Sequence, residues 1–151
     1  MKDLFHYVAC GLPNVWLENG YEVHEGPRGR TFKIHKLEEL HDAIGMAVVE
    51  KEEPLTGDEV RFLRTELSMS RKALGASLGY SPETIKKWES GENSIQKSAD
   101  ILLRVLYREY HNEDGPVRGL VEAVNDMERE EKQKKEMKFK EDAGEWIRDC
   151  A

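Results

Sequence analysis

The sequence predicts an α+β chain: a small N-terminal β-hairpin or sheet with one helix, then an all-α bundle, then a C-terminal helix. Three observations predict it. Residues 5–35 carry short β-branched and aromatic runs broken by Asn-Gly and Gly-Pro turn signals. Residues 55–111 carry apolar side chains at helical spacing, punctuated by serine and glycine where helices start and stop. Beyond residue 116 a short apolar stripe gives way to a run of mixed charge.

In chain order, Phe5 to Cys10 is strand-like. Asn14-Val15-Trp16-Leu17 and Tyr21-Glu22-Val23-His24 flank Glu18-Asn19-Gly20. Asn-Gly between such runs predicts a hairpin, because both residues accept the positive φ of a tight turn. Gly26-Pro27-Arg28-Gly29 marks a further turn, and Thr31-Phe32-Lys33-Ile34-His35 reads as another strand. Leu37, Leu40, Ile44 and Val48 then follow helical spacing, and Lys51-Glu52-Glu53-Pro54 reads as a linker. Trp16 and Tyr21 are expected either in the small core or presented to a partner. His6, Cys10, His24, His35 and His41 lack the short paired spacing of structural zinc sites, so no metal is expected.

The bundle is the most informative part. Val60, Leu63 and Leu67 define a helix over 58–67, capped by Thr56 or Asp58. Ser70 caps a helix to Leu78, with Ala73, Leu74 and Leu78 as its apolar stripe. Gly79 ends it, since glycine tolerates the left-handed conformation that closes helices. Ser81-Pro82 supplies a cap and a first helical residue whose missing N–H costs nothing. Ile85 and Trp88 share one face of that helix, charged side chains occupy the others, and Gly91 closes it. Two helices of about two turns each cannot stand alone. The flanking helix at 97–110, with Ile101, Leu102, Val105 and Leu106 as its expected apolar side, completes the unit. The layout is that of a helix-turn-helix able to enter the major groove of DNA.

Residues 68–91 resemble the Cro/cI (XRE-type) helix-turn-helix family. Its core reads roughly Ser-Gln-x-x-Leu-Ala-x-x-x-Gly-x-Ser-x-x-Thr-Ile-x-x-Trp/Phe-Glu-x-Gly. Here the pattern is Ser70-Arg71-x-x-Leu74-Gly75, Gly79-Tyr80-Ser81, Thr84-Ile85 and Trp88-Glu89-Ser90-Gly91. The usual glutamine is Arg71 and the usual alanine is Gly75. The resemblance implies double-stranded DNA as partner, a homodimer, a palindromic operator and a role as repressor or autoregulator. It implies a partly buried ion pair between Arg64 and Glu89. It also places Arg71 near a phosphate or an outer base, and Pro82, Glu83, Thr84 and Lys87 on the exposed start and face of the recognition helix. On that placement Lys87 suits guanine, Glu83 suits cytosine N4, and Pro82 or the Thr84 methyl suits thymine. Lys72, Lys86 and the backbone around Ser81 are the phosphate candidates.

The order of parts also resembles antitoxins of the HigA and MqsA type, although the cysteine pairs of a zinc-binding module are missing. The alternative reading is therefore an antitoxin or interaction module that binds a toxin or other protein through residues 1–50. The domains are expected as 1–53 (small α+β module), 54–112 (helix-turn-helix domain) and 113–151 (charged C-terminal helix, for dimerisation or partly disordered). In the last of these, Val117, Leu120, Val121, Val124 and Met127 form the stripe. Glu128–Lys132, Glu130–Lys134 and Glu131–Lys135 are acid-to-base pairs at i,i+4. Trp146 and Ile147 either dock or lie in a disordered tail.

A net charge of −7 looks wrong for a DNA reader. Its distribution matters more: residues 56–111 hold nine Lys/Arg against eight Asp/Glu, and each flank has an excess of four acids. Two cysteines, Cys10 and Cys150, give no disulfide framework and fit a reducing compartment. With no signal peptide or membrane-length apolar run, a cytoplasmic location is expected. No nucleophile with a base, phosphate-cradling glycine loop or metal-ligand pair stands out. Neither an enzyme nor a cofactor is expected.

Overall fold

The computed structural model describes residues 4–111, 116–135 and 137–148, with the side chains at 116–118 and 131–135 outside the description. It is a mixed α+β chain with three antiparallel strand pairs and six helices among the described residues. The expected Val117 stripe position and the three i,i+4 charge pairs fall, wholly or in one partner, outside the described residues, as does Cys150.

At the N-terminus, β1 (Phe5–His6) pairs antiparallel with β2 (Trp16–Leu17), and β3 (Tyr21–Gly26) with β4 (Gly29–Ile34). The expected hairpin across Asn19-Gly20 is therefore corrected. Gly20 takes a positive φ, but it joins two strands that belong to different pairs. The hairpin forms at Pro27-Arg28 instead, where Gly26 and Gly29 face each other across a two-residue loop. Phe5 stacks on Phe32 and tilts against Tyr21, so the two strand pairs meet through aromatic rings. Tyr21 packs against the core, whereas Trp16 is exposed and stacks on the His6 ring at 4.0 Å.

Helix α1 (Leu37–Glu50) buries Ile44, Val48 and Val49 and packs against both α2 (Gly57–Glu66) and α5 (Lys97–Tyr110). Tyr107 of α5 lies across Gly45, where any Cβ would strike its ring. His41 of α1 bridges outward: its Nε2 is 2.8 Å from the Tyr7 hydroxyl and its Nδ1 is 2.9 Å from Glu66. A carboxylate only accepts, so Nδ1 carries the proton there.

The expected linker at 51–54 is tied down rather than loose. Arg104 donates to the carbonyls of Lys51 and Glu53, and Lys51 pairs with Glu59. Buried Asp100 accepts from the Leu55 N–H at 2.8 Å and from Arg104 at 2.6 Å. Thr56 caps α2 through a reciprocal box in which Glu59 returns to the Thr56 N–H.

The apolar side of α5 is a second correction. Ala99, Leu103 and Tyr107 face the core, with Leu106 partly buried, while Ile101, Leu102 and Val105 face outward. The C-terminus is a third. Helix α6 (Pro116–Lys135) is followed by a hairpin of β5 (Phe139–Asp142) and β6 (Glu145–Arg148), with Trp146 exposed. Within α6, Val121 is buried and Val124 half-buried, but Leu120 and Met127 face outward.

The tight turn of the bundle explains Gly75. In α3 (Arg71–Leu78) its carbonyl accepts from both Gly79 and Tyr80 N–H at 2.8 Å, which draws the turn over it. A Cβ on Gly75 would run into the Tyr80 carbonyl, which is backbone and cannot rotate away. Alanine would gain about 1 kcal/mol of helix propensity. Overpacking of this kind costs about 1–3 kcal/mol. Gly75→Ala is expected to lower stability in urea unfolding; an equal or raised midpoint would show that the turn yields.

Candidate nucleic-acid interface

Helix α4 (Pro82–Ser90) is the core of the site. The Ser81 hydroxyl accepts from the Thr84 N–H at 3.2 Å, Pro82 fills the first turn, and Gly91 closes the helix at φ 80°. Ile85 and Trp88 point inward against α2 and α3, and Tyr80 meets the Trp88 ring edge-on at 4.8 Å. That orientation leaves Pro82, Glu83, Lys86 and Lys87 exposed and Thr84 half-exposed. These residues form one continuous polar surface around the start and outer side of a short rod.

Its inner end is held by charge. The Glu89 side chain is 0% exposed and faces three guanidinium groups. Arg64 Nε and Nη2 bind its two oxygens at 2.7 and 3.0 Å, a two-pronged grip that also lets Nη1 reach the Met69 carbonyl at 3.1 Å. Arg61 and Arg71 approach Oε1 at 3.3 Å. Burial pushes the Glu89 carboxyl up, but the hydrogen bonds and charge of Arg64, joined by Arg61 and Arg71, outweigh it and hold the group below its ordinary range. The expected Arg64–Glu89 pair is present, and larger than expected. Arg61 lies one helical turn before Arg64, a spacing from which its membership was readable.

The structure brings Ser81, Pro82, Glu83, Thr84, Lys86 and Lys87 together on α4 and its cap. Arg71 and Lys72 sit apart from them, on the first turn of α3. Arg71 turns toward Glu89, with its side chain 38% exposed, so part of its guanidinium is committed to the ion cluster. Sequence reasoning missed the partner of Ser70. Its hydroxyl accepts from the Ala73 N–H at 3.0 Å and donates to the Glu128 carboxylate on α6, 2.8 and 2.7 Å from the two oxygens. Nothing local in the sequence signals a contact across 58 residues.

Residues 60–104 match the family model described as Helix-turn-helix. This segment is a helix-turn-helix of the Cro/cI type. The match supports DNA binding and transcription regulation as the general class of function. No curated protein and no solved structure matches the chain. Among the described residues, no group of three or more His, Cys, Asp or Glu side chains is placed to hold a metal ion, and no helix is long and apolar enough to cross a membrane.

The Glu89 cluster carries a pH dependence. A carboxyl with a depressed folded-state pKa contributes stability above its unfolded value, and that contribution is lost as pH falls through the folded value. Breaking such a buried cluster from the acid side costs about 3–5 kcal/mol, because three guanidinium groups lose their counter-charge. Glu89→Gln is therefore expected to unfold more readily than wild type at pH 7, with the gap narrowing as pH drops below about 4.5. A gap that stays constant down to pH about 2 would show that Glu89 ionisation is not what stabilises the bundle.

Proposed function

We propose that the chain is a sequence-specific regulator of transcription that binds as a homodimer to an inverted repeat and acts as a repressor, with its own promoter as a target. The observation that carries this reading is the outer face of α4, which leaves Glu83, Lys86 and Lys87 exposed and Thr84 half-exposed while its inner face is locked by Ile85, Trp88 and Glu89. An ammonium suits guanine O6 or N7, a carboxylate suits cytosine N4, and a threonine methyl or proline ring suits the thymine methyl. Lys86, Lys72 and the Ser81 backbone supply the phosphate side of the contact. The reading includes no catalytic step and no cofactor.

A homodimer is supported by the outward face of α5. Ile101, Leu102 and Val105 lie within one and a half turns and are each about half exposed. An apolar stripe of that kind on a helix already anchored by its other face suits a two-fold contact with its own copy; two half-sites read by such a dimer would lie about one turn of DNA (roughly 34 Å) apart.

A second reading is favoured by a separate observation. A groove of about 550 Å³ runs between the N-terminal segment and α1, lined by Leu12, Trp16, Leu40, Ala43 and Ala47 among others. It suits a protein partner held by residues 1–50, as in an antitoxin that also reads its own operator. The two activities are compatible on one chain because the groove and α4 use different residues.

Selection of bound fragments from random duplexes is expected to return an inverted repeat. Lys87→Ala should then weaken binding to that sequence by about 1–3 kcal/mol while barely changing binding to unrelated duplexes. Equal loss on every sequence would make Lys87 a phosphate contact instead. The paired change Ile101→Glu and Val105→Glu is expected to give a monomer in analytical ultracentrifugation with helical content intact. A dimer that persists would move the interface elsewhere.

A further inference from the structure

Helix α6 is placed by its buried side. Val121 is buried and Val124 half-buried where α6 packs on α3 and α5. Residues 121, 124, 125 and 128 share one face of a helix, so this anchoring carries Glu128 to the start of α3 two turns further on. There its carboxylate meets the Ser70 hydroxyl with both oxygens, at 2.8 and 2.7 Å. Ser68, Ser70, Asn125, Glu128 and Arg129 line a crevice of about 170 Å³ at this point. Arg129 is turned to Asp126 on its own helix.

The position matters for DNA. The first helix of a helix-turn-helix crosses the sugar-phosphate backbone while the second lies in the groove. Serine hydroxyls and helix N-termini are among the usual donors to phosphate oxygens, and the positive end of a helix favours an anion. An anion is already there. Glu128 presents two negatively shared oxygens to the same hydroxyl that a phosphate would use, and Glu130 and Asp126 add negative charge on the same stretch of α6.

We propose that α6 is an intramolecular competitor for DNA: the Glu128 carboxylate occupies the place of a backbone phosphate at the start of α3, and binding a duplex requires its displacement. This rests on the DNA-binding reading above. The segment thereby lowers affinity for every duplex alike, since a phosphate contact carries no sequence information. Only a site that also satisfies α4 repays the displacement, so the contact widens the gap between operator and bulk DNA.

The test uses the full chain and a fluorescent duplex of mixed sequence, about 30 base pairs long, in low salt where phosphate contacts dominate. Glu128→Gln keeps the size of the side chain and leaves Ser70 free to cap α3. Its affinity is expected to rise about three- to tenfold, as the loss of a charge at a helix start allows. Glu130→Gln removes the same charge from the same helix at an exposed position and is the control; it is expected to rise by less than about twofold. Circular dichroism establishes that both variants fold. Equal affinity of wild type and Glu128→Gln would overturn the inference while leaving the DNA reading intact. An equal rise in both variants would also overturn it, since general repulsion would then account for the effect. If no form binds the duplex at any salt, the DNA reading itself fails and the competitor falls with it.

Discussion

A single buried carboxylate fixes the geometry of α4. Glu89 sits on the last turn of α4, and the guanidinium groups that meet it come from α2 (Arg61 and Arg64) and from the first turn of α3 (Arg71). Three helices therefore share one electrostatic point. The pair of bonds from Arg64 is directional and sets the rotation of α4 about its own axis. That rotation decides which residues face outward. A turn of even a third would bury Lys87 and expose Trp88. Apolar packing alone does not fix rotation so firmly, because burial of Ile85 and Trp88 is non-directional. A buried ion cluster is a weak source of net stability. Its value here is in specifying one orientation among several of similar burial.

Two glycines complete that constraint by bringing backbones together. Gly57, at the start of α2, lies against the Trp88 and Glu89 carbonyls, and Gly75 lies beneath the Tyr80 carbonyl. Neither position leaves room for a Cβ. The end of α4 is thus held by α2 and its beginning by α3, one through close backbone approach and the other through a turn folded back on its helix. Side chains on the outer face take no part in this scaffold. Glu83, Lys86 and Lys87 occur in none of the ion pairs among the described residues. The exposed face of α4 is separated from the buried one that folds it, and that separation lets the outer residues vary without unfolding the rod that carries them.

The parts of this design that are local were legible in the sequence. Ser70, Gly79, Ser81-Pro82 and Gly91 act within a turn of themselves, and each sits where its chemistry put it. Thr56 and Glu59 form a capping box whose spacing was equally visible, and Glu59 was the half not read. Features decided by distant partners were not legible. Asn19-Gly20 carries the stronger turn signal, yet the hairpin formed at Pro27-Arg28, because Phe5 returns to pack on Tyr21 and Phe32 and takes β2 with it. Helix α5 has apolar residues on two faces. Which one turns inward depends on Asp100 and Arg104 gripping the chain at 51–55, a polar contact that hydrophobic spacing does not report. In the C-terminal hairpin, Ala143 and Gly144 both take positive φ, as a two-residue turn of this hand requires. Lys and Glu residues dilute the alternation of its strands, so a charged run concealed it.

The same contrast between local and distant terms governs affinity. Nine basic residues against eight acidic ones across 56–111 leave the helix-turn-helix almost neutral, and both flanks are acidic. Long-range attraction to a polyanion is then weak, and association gains little from steering. Three of those nine bases, Arg61, Arg64 and Arg71, also face Glu89 and are partly spent on holding the bundle together. Arg104 is spent on Asp100 and the 51–53 carbonyls. On the outer face of α4 the exposed cations are Lys86 and Lys87. A protein so poor in free positive charge cannot hold arbitrary duplexes tightly, because nonspecific binding scales with the phosphates neutralised. On the function proposed above, discrimination comes from contacts that only a matching sequence completes, made by the outward face of α4.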